Sequence, residues 1–248
     1  MKRPDLIFIC TVVACLVIAG HGFTTVIAQY ETIGQSLANL PPDIHRDTLS
    51  RMPRTERDNL KTDAEREAYD RVIAYSPKQR TATWLGPTGT RLQMPEVAEA
   101  YNKQIQFLHA NSGISEKYAE LAIAVATRET NNQEEFLDHE PQRLRLLGPK
   151  VDEIIRKNEP LDGLPEDEAV IIQFGRELFR DPAVSSKTFA EMQKVFGPKL
   201  TLNFTAYMGY YLSNGLLVNR AYDQKLDINA KCSGFDTGCI DPNHPLPW

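Results

Sequence analysis

Three side chains in the middle of the chain have the types and spacing for acid–base chemistry: Glu120, Glu135 and His139. Glu135 and His139 are four residues apart, so on a helix they share one face. Glu120 lies in the apolar run YAELAIAVA. An acid among such neighbours must be paired or protonated. A structural salt bridge to Arg128 or Arg143 would satisfy it, and a role as a pocket acid is the alternative. His139, with an ordinary pKa near ~6.5, is the natural proton carrier at neutral pH; its structural alternative is a donor that caps or bridges helices. Tyr210 and Tyr211 leave one helix in different directions, so at least one belongs to the core with its hydroxyl at a pocket edge. Arg128 precedes Glu129 and has the planar fork that holds a carboxylate.

The run from Glu135 to His139 reads E-x-x-D-H. That is not an established ligand pattern, and no metal is expected. Glu134, Glu135 and Asp138 have a plainer reading as a solvated acidic face. There is no phosphate-cradling glycine loop, no P-loop lysine motif and no CxxC pair, so no cofactor is expected.

The elements that must position these residues are helices. Asp63 and Glu65 open a helix over 62–74, with Ala68, Tyr69, Val72 and Ile73 at helical spacing. A turn-rich break runs from Ser76 through GPTGT at 86–90. Pro95 suits a first turn, and Val97, Ala98, Tyr101, Ile105 and Leu108 follow on one face. Ser115 precedes an apolar helix from Glu116 to about Thr127. Residues 131–147 read as one helix ended by Gly148-Pro149, with a short helix over 150–156. Acids at 166–167 favour the positive end of a helix running to Phe179. A helix over 188–195 stops at Gly197-Pro198, and the longest covers 200–223. Period-two strand patterns are nearly absent, so the fold class is all-α, with its core between residues 84 and 225.

Composition sets the outer bounds. The chain has 248 residues, 42% hydrophobic and 25% charged, which excludes a collagen, a repeat fibre or a wholly disordered chain. A formal net charge of −5 gives no long-range attraction for nucleic acid. Lys2 and Arg3, the charge-free run Leu6–Gly20 and Val26-Ile27-Ala28 together have the layout of a secretory signal peptide over residues 1–28. The run is shorter than the roughly 20 residues a spanning helix needs, so no stable span is expected after cleavage; an uncleaved membrane anchor is the alternative. Export, periplasmic or extracellular, would put Cys232 and Cys239 in an oxidising compartment, where such a pair forms a disulfide; two free thiols are the other possibility.

Four stretches together resemble the carboxymuconolactone decarboxylase family, with its AhpD-like all-helical fold. They are LGPTGTRLQMPEVAEAYNKQIQFL at 85–108, ISEKYAELAIAVATRETNNQEEFLDHEP at 114–141, GLPEDEAVIIQFGRELFRDPAVSSKTFAEMQKVFG at 163–197 and LNFTAYMGYYLSNGLLVN at 202–219. The resemblance implies a domain over 81–225. An N-terminal helical extension over 29–80 precedes it, and an irregular tail over 226–248 follows. Glu120 in AELAI and His139 in HEP match the family's acid and histidine. Asn219 matches a frequent family asparagine that would bind substrate or backbone. Asn132 and Glu135 stand where redox-active relatives carry two cysteines. Thiol peroxidase chemistry needs an attacking thiolate and a resolving thiol, and this site has neither. Glu134, Asp138 and Asn203 also depart from the family pattern.

The resemblance implies a lyase acting on a small carboxy-lactone or related organic acid. Decarboxylation leaves a carbanion-like species next to a carbonyl. His139 would deliver the proton, with Glu120 orienting it or acting as the acid, and Glu135 beside them. Tyr210 or Tyr211 would donate to the developing oxyanion, and Arg128 would hold the carboxylate. The family also implies a homo-oligomer, a trimer or hexamer. A signal peptide argues against the intracellular aromatic-catabolic substrate. It favours a divergent activity on an external compound, or a non-catalytic binding or structural role.

Overall fold

The helix Glu116–Glu129 (α4) is enclosed on every side: each residue from Glu120 to Glu129 is buried. Such a helix can exist only inside a shell of other helices. In the computed structural model, which describes residues 40–48, 50–75 and 86–223, that shell is complete enough to define an all-α bundle. The expected signal segment 1–28, Cys232, Cys239 and the tail 226–248 lie outside the described residues. The chain divides into two units, Met1–Pro42 and Asp43–Trp248; everything below concerns the second.

The second unit contains α1 (Asp63–Tyr75), α2 (Gly86–Arg91), α3 (Pro95–Ala110), α4, α5 (Gln133–Asp138), α6 (Glu140–Lys157), α7 (Glu166–Arg180) and α8 (Ser186–Gly215). A wider π-type turn, Leu216–Ala221, continues α8. Among the described residues no strand forms; His45 and Ser50 make one isolated bridge. No described helix is long and apolar enough to cross a membrane.

Local chemistry accounts for most of the boundaries. Ser115 and Ser185 cap α4 and α8, their hydroxyls accepting from the Tyr118 and Thr188 amides. Glu166, Asp167 and Glu168 sit at the positive end of α7. Asn131 turns the chain out of α4 at φ 51°, and the buried Asn132 side chain then accepts from the Glu135 amide to cap α5.

The core joins α4, α6, α7 and α8 through Leu121, Ile123, Val125, Ile155, Ile171, Phe174, Met192, Phe204 and Met208. A second cluster, Tyr69, Val72, Leu92 and Ala98, packs α1 against α3. So α1, which falls in the 29–80 segment read as an extension, is part of the same unit as the bundle.

Two readings of the sequence need correction. The segment at 86–90 was expected to be a break, yet it is the helix α2, because Gly86 at φ 76° makes the turn and Pro87 then suits a first helical position. The single helix expected over 131–147 is two, separated at His139. Gly148-Pro149 and Gly197-Pro198 do interrupt helix where expected, and the helical runs expected over 150–156 and 200–223 follow them. Gly148 (φ 77°, ψ 167°) and Gly197 (φ 72°, ψ 173°) leave helical geometry for one residue, and helix resumes after each proline.

Candidate functional site

His139 occupies the junction between α5 and α6. Its amide bonds the Glu135 carbonyl at 3.1 Å, closing α5, and its own carbonyl receives the Arg143 amide at 2.9 Å, opening α6. The Arg143 side chain braces this corner from inside. Fully buried, it donates to the Phe136 carbonyl at 2.6 Å, pairs with Asp152 at 2.5 Å and lies 3.8 Å over the Phe136 ring. The backbone that carries His139 is therefore fixed by groups that do not touch its ring.

The ring meets partners from two other helices. Nδ1 lies 3.1 and 3.2 Å from the two oxygens of Glu120 on α4. An ionised carboxylate only accepts, so Nδ1 carries the proton. In the neutral ring Nε2 is then an acceptor, and the Tyr211 hydroxyl of α8 donates to it at 3.4 Å. Glu135 Oε2 stands 3.7 Å from the same nitrogen. The acid–histidine–tyrosine order is that of an oriented acid–base relay: an anion sets the tautomer and leaves the second nitrogen to exchange protons.

The electrostatics suit this role. Burial pulls the His139 pKa down, but the hydrogen bond and charge of Glu120, with Glu135 and Asp138, outweigh it and leave it raised. Burial raises the Glu135 carboxyl, against the opposing pull of His139 and Asn214. Burial also holds the Tyr211 hydroxyl well above its ordinary range, so it stays a donor. The Glu120, Glu135 and His139 side chains remain 10–19% exposed, so the site is largely dry.

A second tier continues from Glu135. Asn214 donates to Glu135 Oε1 at 3.0 Å and accepts from Arg91 at 2.7 Å. The Arg91 guanidinium carbon lies over the Tyr101 ring, 3.8 Å from its centroid, and Tyr101 shares a 3.0 Å hydrogen bond with Ser213. Tyr101, Tyr210, Tyr211 and His139 form a continuous row of rings with centroids 5.5–5.9 Å apart. Their edge-to-face and tilted geometries are favourable for aromatic pairs.

The structure therefore brings together Glu120, Glu135, His139, Tyr210 and Tyr211. It places Arg128 elsewhere, buried and 3.1 Å from Glu129, which Arg180 also grips. The rival partners considered for Glu120 are engaged with Glu129 and Asp152 respectively. Asn219 belongs to the π-type turn, and its side chain lies outside the description. Asp138 is exposed, and among the described residues no three groups converge to hold a metal ion. Asn203 donates to the Ser112 carbonyl at 2.7 Å, tying α8 to the α3–α4 loop.

Sequence reasoning missed Arg91, Asn214, Ser213 and Tyr101's polar role. Arg91 ends a segment read as a turn, and nothing local marks it. Asn214 did carry a signal: an amide just after the aromatic run Tyr207–Tyr211 is costly to bury without a partner. No protein-family model, curated protein or solved structure matches this chain.

Proposed function

We propose that this protein is an acid–base enzyme of the carboxymuconolactone decarboxylase type, a lyase for a small carboxy-lactone or related organic acid. The observation that carries the reading is the two-sided engagement of His139: Glu120 on Nδ1, and Tyr211 with Glu135 at Nε2. Substrate carboxylate would leave as carbon dioxide, with the bonding electron pair passing to the carbon next to a carbonyl. His139, protonated at Nε2 and held by Glu120, would give its proton to that carbon. Tyr211 would donate to the enolate oxygen while charge sits there. A proton taken up from Glu135 or solvent would reset the ring.

The charge-free run Leu6–Gly20 supports export, and the peroxidase alternative is disfavoured by the absence of thiols at 132 and 135. Exposed Phe107, Phe189 and Leu202 give apolar surface for self-association into the expected homo-oligomer. One observation favours a second, non-catalytic reading: both His139 nitrogens have internal partners, as in a network that only ties α4, α6 and α8 together.

A ligand screen separates the two. Carboxy-lactones, muconate-like diacids and keto acids are tested for thermal stabilisation of the wild type, His139→Gln and Glu120→Gln. The enzyme reading expects a ligand that stabilises the wild type and not the variants. Strong destabilisation of both variants, with no ligand response in any protein, supports the structural reading.

A further inference from the structure

Arg91 is a buried cation with no carboxylate in contact; the nearby charge of Glu135 reaches it through Asn214. It is 7% exposed, and its partners are all neutral: the Asn214 amide oxygen at 2.7 Å, the Ser213 hydroxyl at 3.4 Å and the faces of Tyr101 and Tyr210. Among the described residues no carboxylate lies within salt-bridge distance of it. Two other buried guanidinium groups touch a carboxylate, Arg143 with Asp152 and Arg128 with Glu129, while buried Arg176 donates to the Ile154 carbonyl. An isolated buried charge is expensive unless something neutralises it.

The same arginine opens onto space. A cleft of about 430 Å³ is lined by Arg91 and Tyr101 on one side and by Leu212, Ser213, Leu216 and Leu217 on the other. Its walls are mostly apolar, and its volume is in the range that takes a small organic ligand. Main-chain bonds from the lead-in pin its far rim, with the Arg51 amide donating to the Tyr222 carbonyl at 2.9 Å. Asn214 and Glu135 connect Arg91 to His139 by consecutive hydrogen bonds and a 3.7 Å contact, and the tyrosine row runs alongside.

We propose that Arg91 is the anchor for a ligand carboxylate, and that the cleft beside it binds a small carboxylic acid with an apolar body. The role expected of Arg128 then belongs to Arg91. The anchored carboxylate supplies an anion in direct contact, and the Tyr101 ring beneath steadies the guanidinium for a bidentate grip. The inference stands apart from the acid–base reading; its test reads binding alone, so the two fail separately.

The test is calorimetric titration of the full chain with benzoate and adipate, against benzamide and adipamide as uncharged isosteres. Wild type should bind at least one acid at least about tenfold more tightly than its amide, as a charge-assisted pair at a buried site requires. Arg91→Gln should lose at least about tenfold, and Arg91→Lys should lose less. Leu216→Trp leaves the guanidinium in place and fills the cleft, so it should abolish binding even if Arg91→Gln fails to fold. Equal binding of acid and amide by the wild type, no binding of either acid, or acid binding that survives both Arg91→Gln and Leu216→Trp would overturn the proposal.

Discussion

Replacing Arg143 with methionine tests how the fold holds His139 in place. The guanidinium is fully buried, pairs with Asp152 at 2.5 Å, donates to the Phe136 carbonyl at 2.6 Å and covers the Phe136 ring at 3.8 Å. Methionine keeps much of the apolar volume but leaves Asp152, itself 6% exposed, facing only Arg156 at 3.9 Å. Breaking a buried pair from one side costs about 3–5 kcal/mol, because the other charge is stranded. In a domain of this size each kcal/mol moves the melting temperature by about 2–4 °C, so the variant should melt about 6–20 °C lower. The stranded charge is the main cause, so adding Asp152→Asn should restore at least about 1 kcal/mol relative to additivity in a double-mutant cycle. Urea unfolding of the four proteins measures this. A cost under about 1 kcal/mol for Arg143→Met, or strict additivity of the pair, would refute the account of the α5–α6 corner.

Two further predictions concern other parts of the molecule. Gly175→Ala puts a methyl 2.4 Å from Val125 and 3.1 Å from Met208, where α7 crosses α4 and α8, so it should destabilise by about 1–3 kcal/mol; Gly209→Ala meets nothing within 4 Å and should stabilise by up to about 1 kcal/mol, and unfolding midpoints of the two variants should therefore move in opposite directions. The site should also make stability pH-dependent. The His139 pKa is raised above 6.5, so its contribution is complete below that value and is lost as pH climbs through the raised one; Glu135, raised above 4.5 by burial, contributes in the same sense. Unfolding midpoints from pH 6 to 9 should fall as pH rises, and His139→Gln should flatten the fall.

The helical class was legible because apolar spacing and caps agree at Ser115, Ser185 and the acids of α7. The Gly-Pro breaks at 148–149 and 197–198 were legible as well, with helix resuming after each. What the sequence concealed is geometric. The residues alone left Glu120 between a salt bridge to Arg128 or Arg143 and a pocket role; its contact with His139 is made in space, across two helices. Arg91 and Asn214 are 123 residues apart and meet only because α2 and the end of α8 share a corner of the bundle. Arg128 and Arg91 are equally basic on paper; their neighbours in space, Glu129 for one and an open apolar cleft for the other, separate an ion pair from a ligand anchor.

The central claim is that His139, oriented by Glu120, moves a proton for a small organic acid. Its most direct test is carbon dioxide release from a panel of carboxy-lactones and keto acids, by wild type, His139→Gln and Glu120→Gln, with the folded state of each verified by its melting curve. The account expects turnover of at least one compound by the wild type and a loss of about 10²–10⁴-fold in folded His139→Gln, the usual contribution of a positioned general acid, with a smaller loss in Glu120→Gln, whose amide oxygen still accepts from Nδ1. Turnover that is unchanged in folded His139→Gln, or no release from any compound by the wild type, would contradict it.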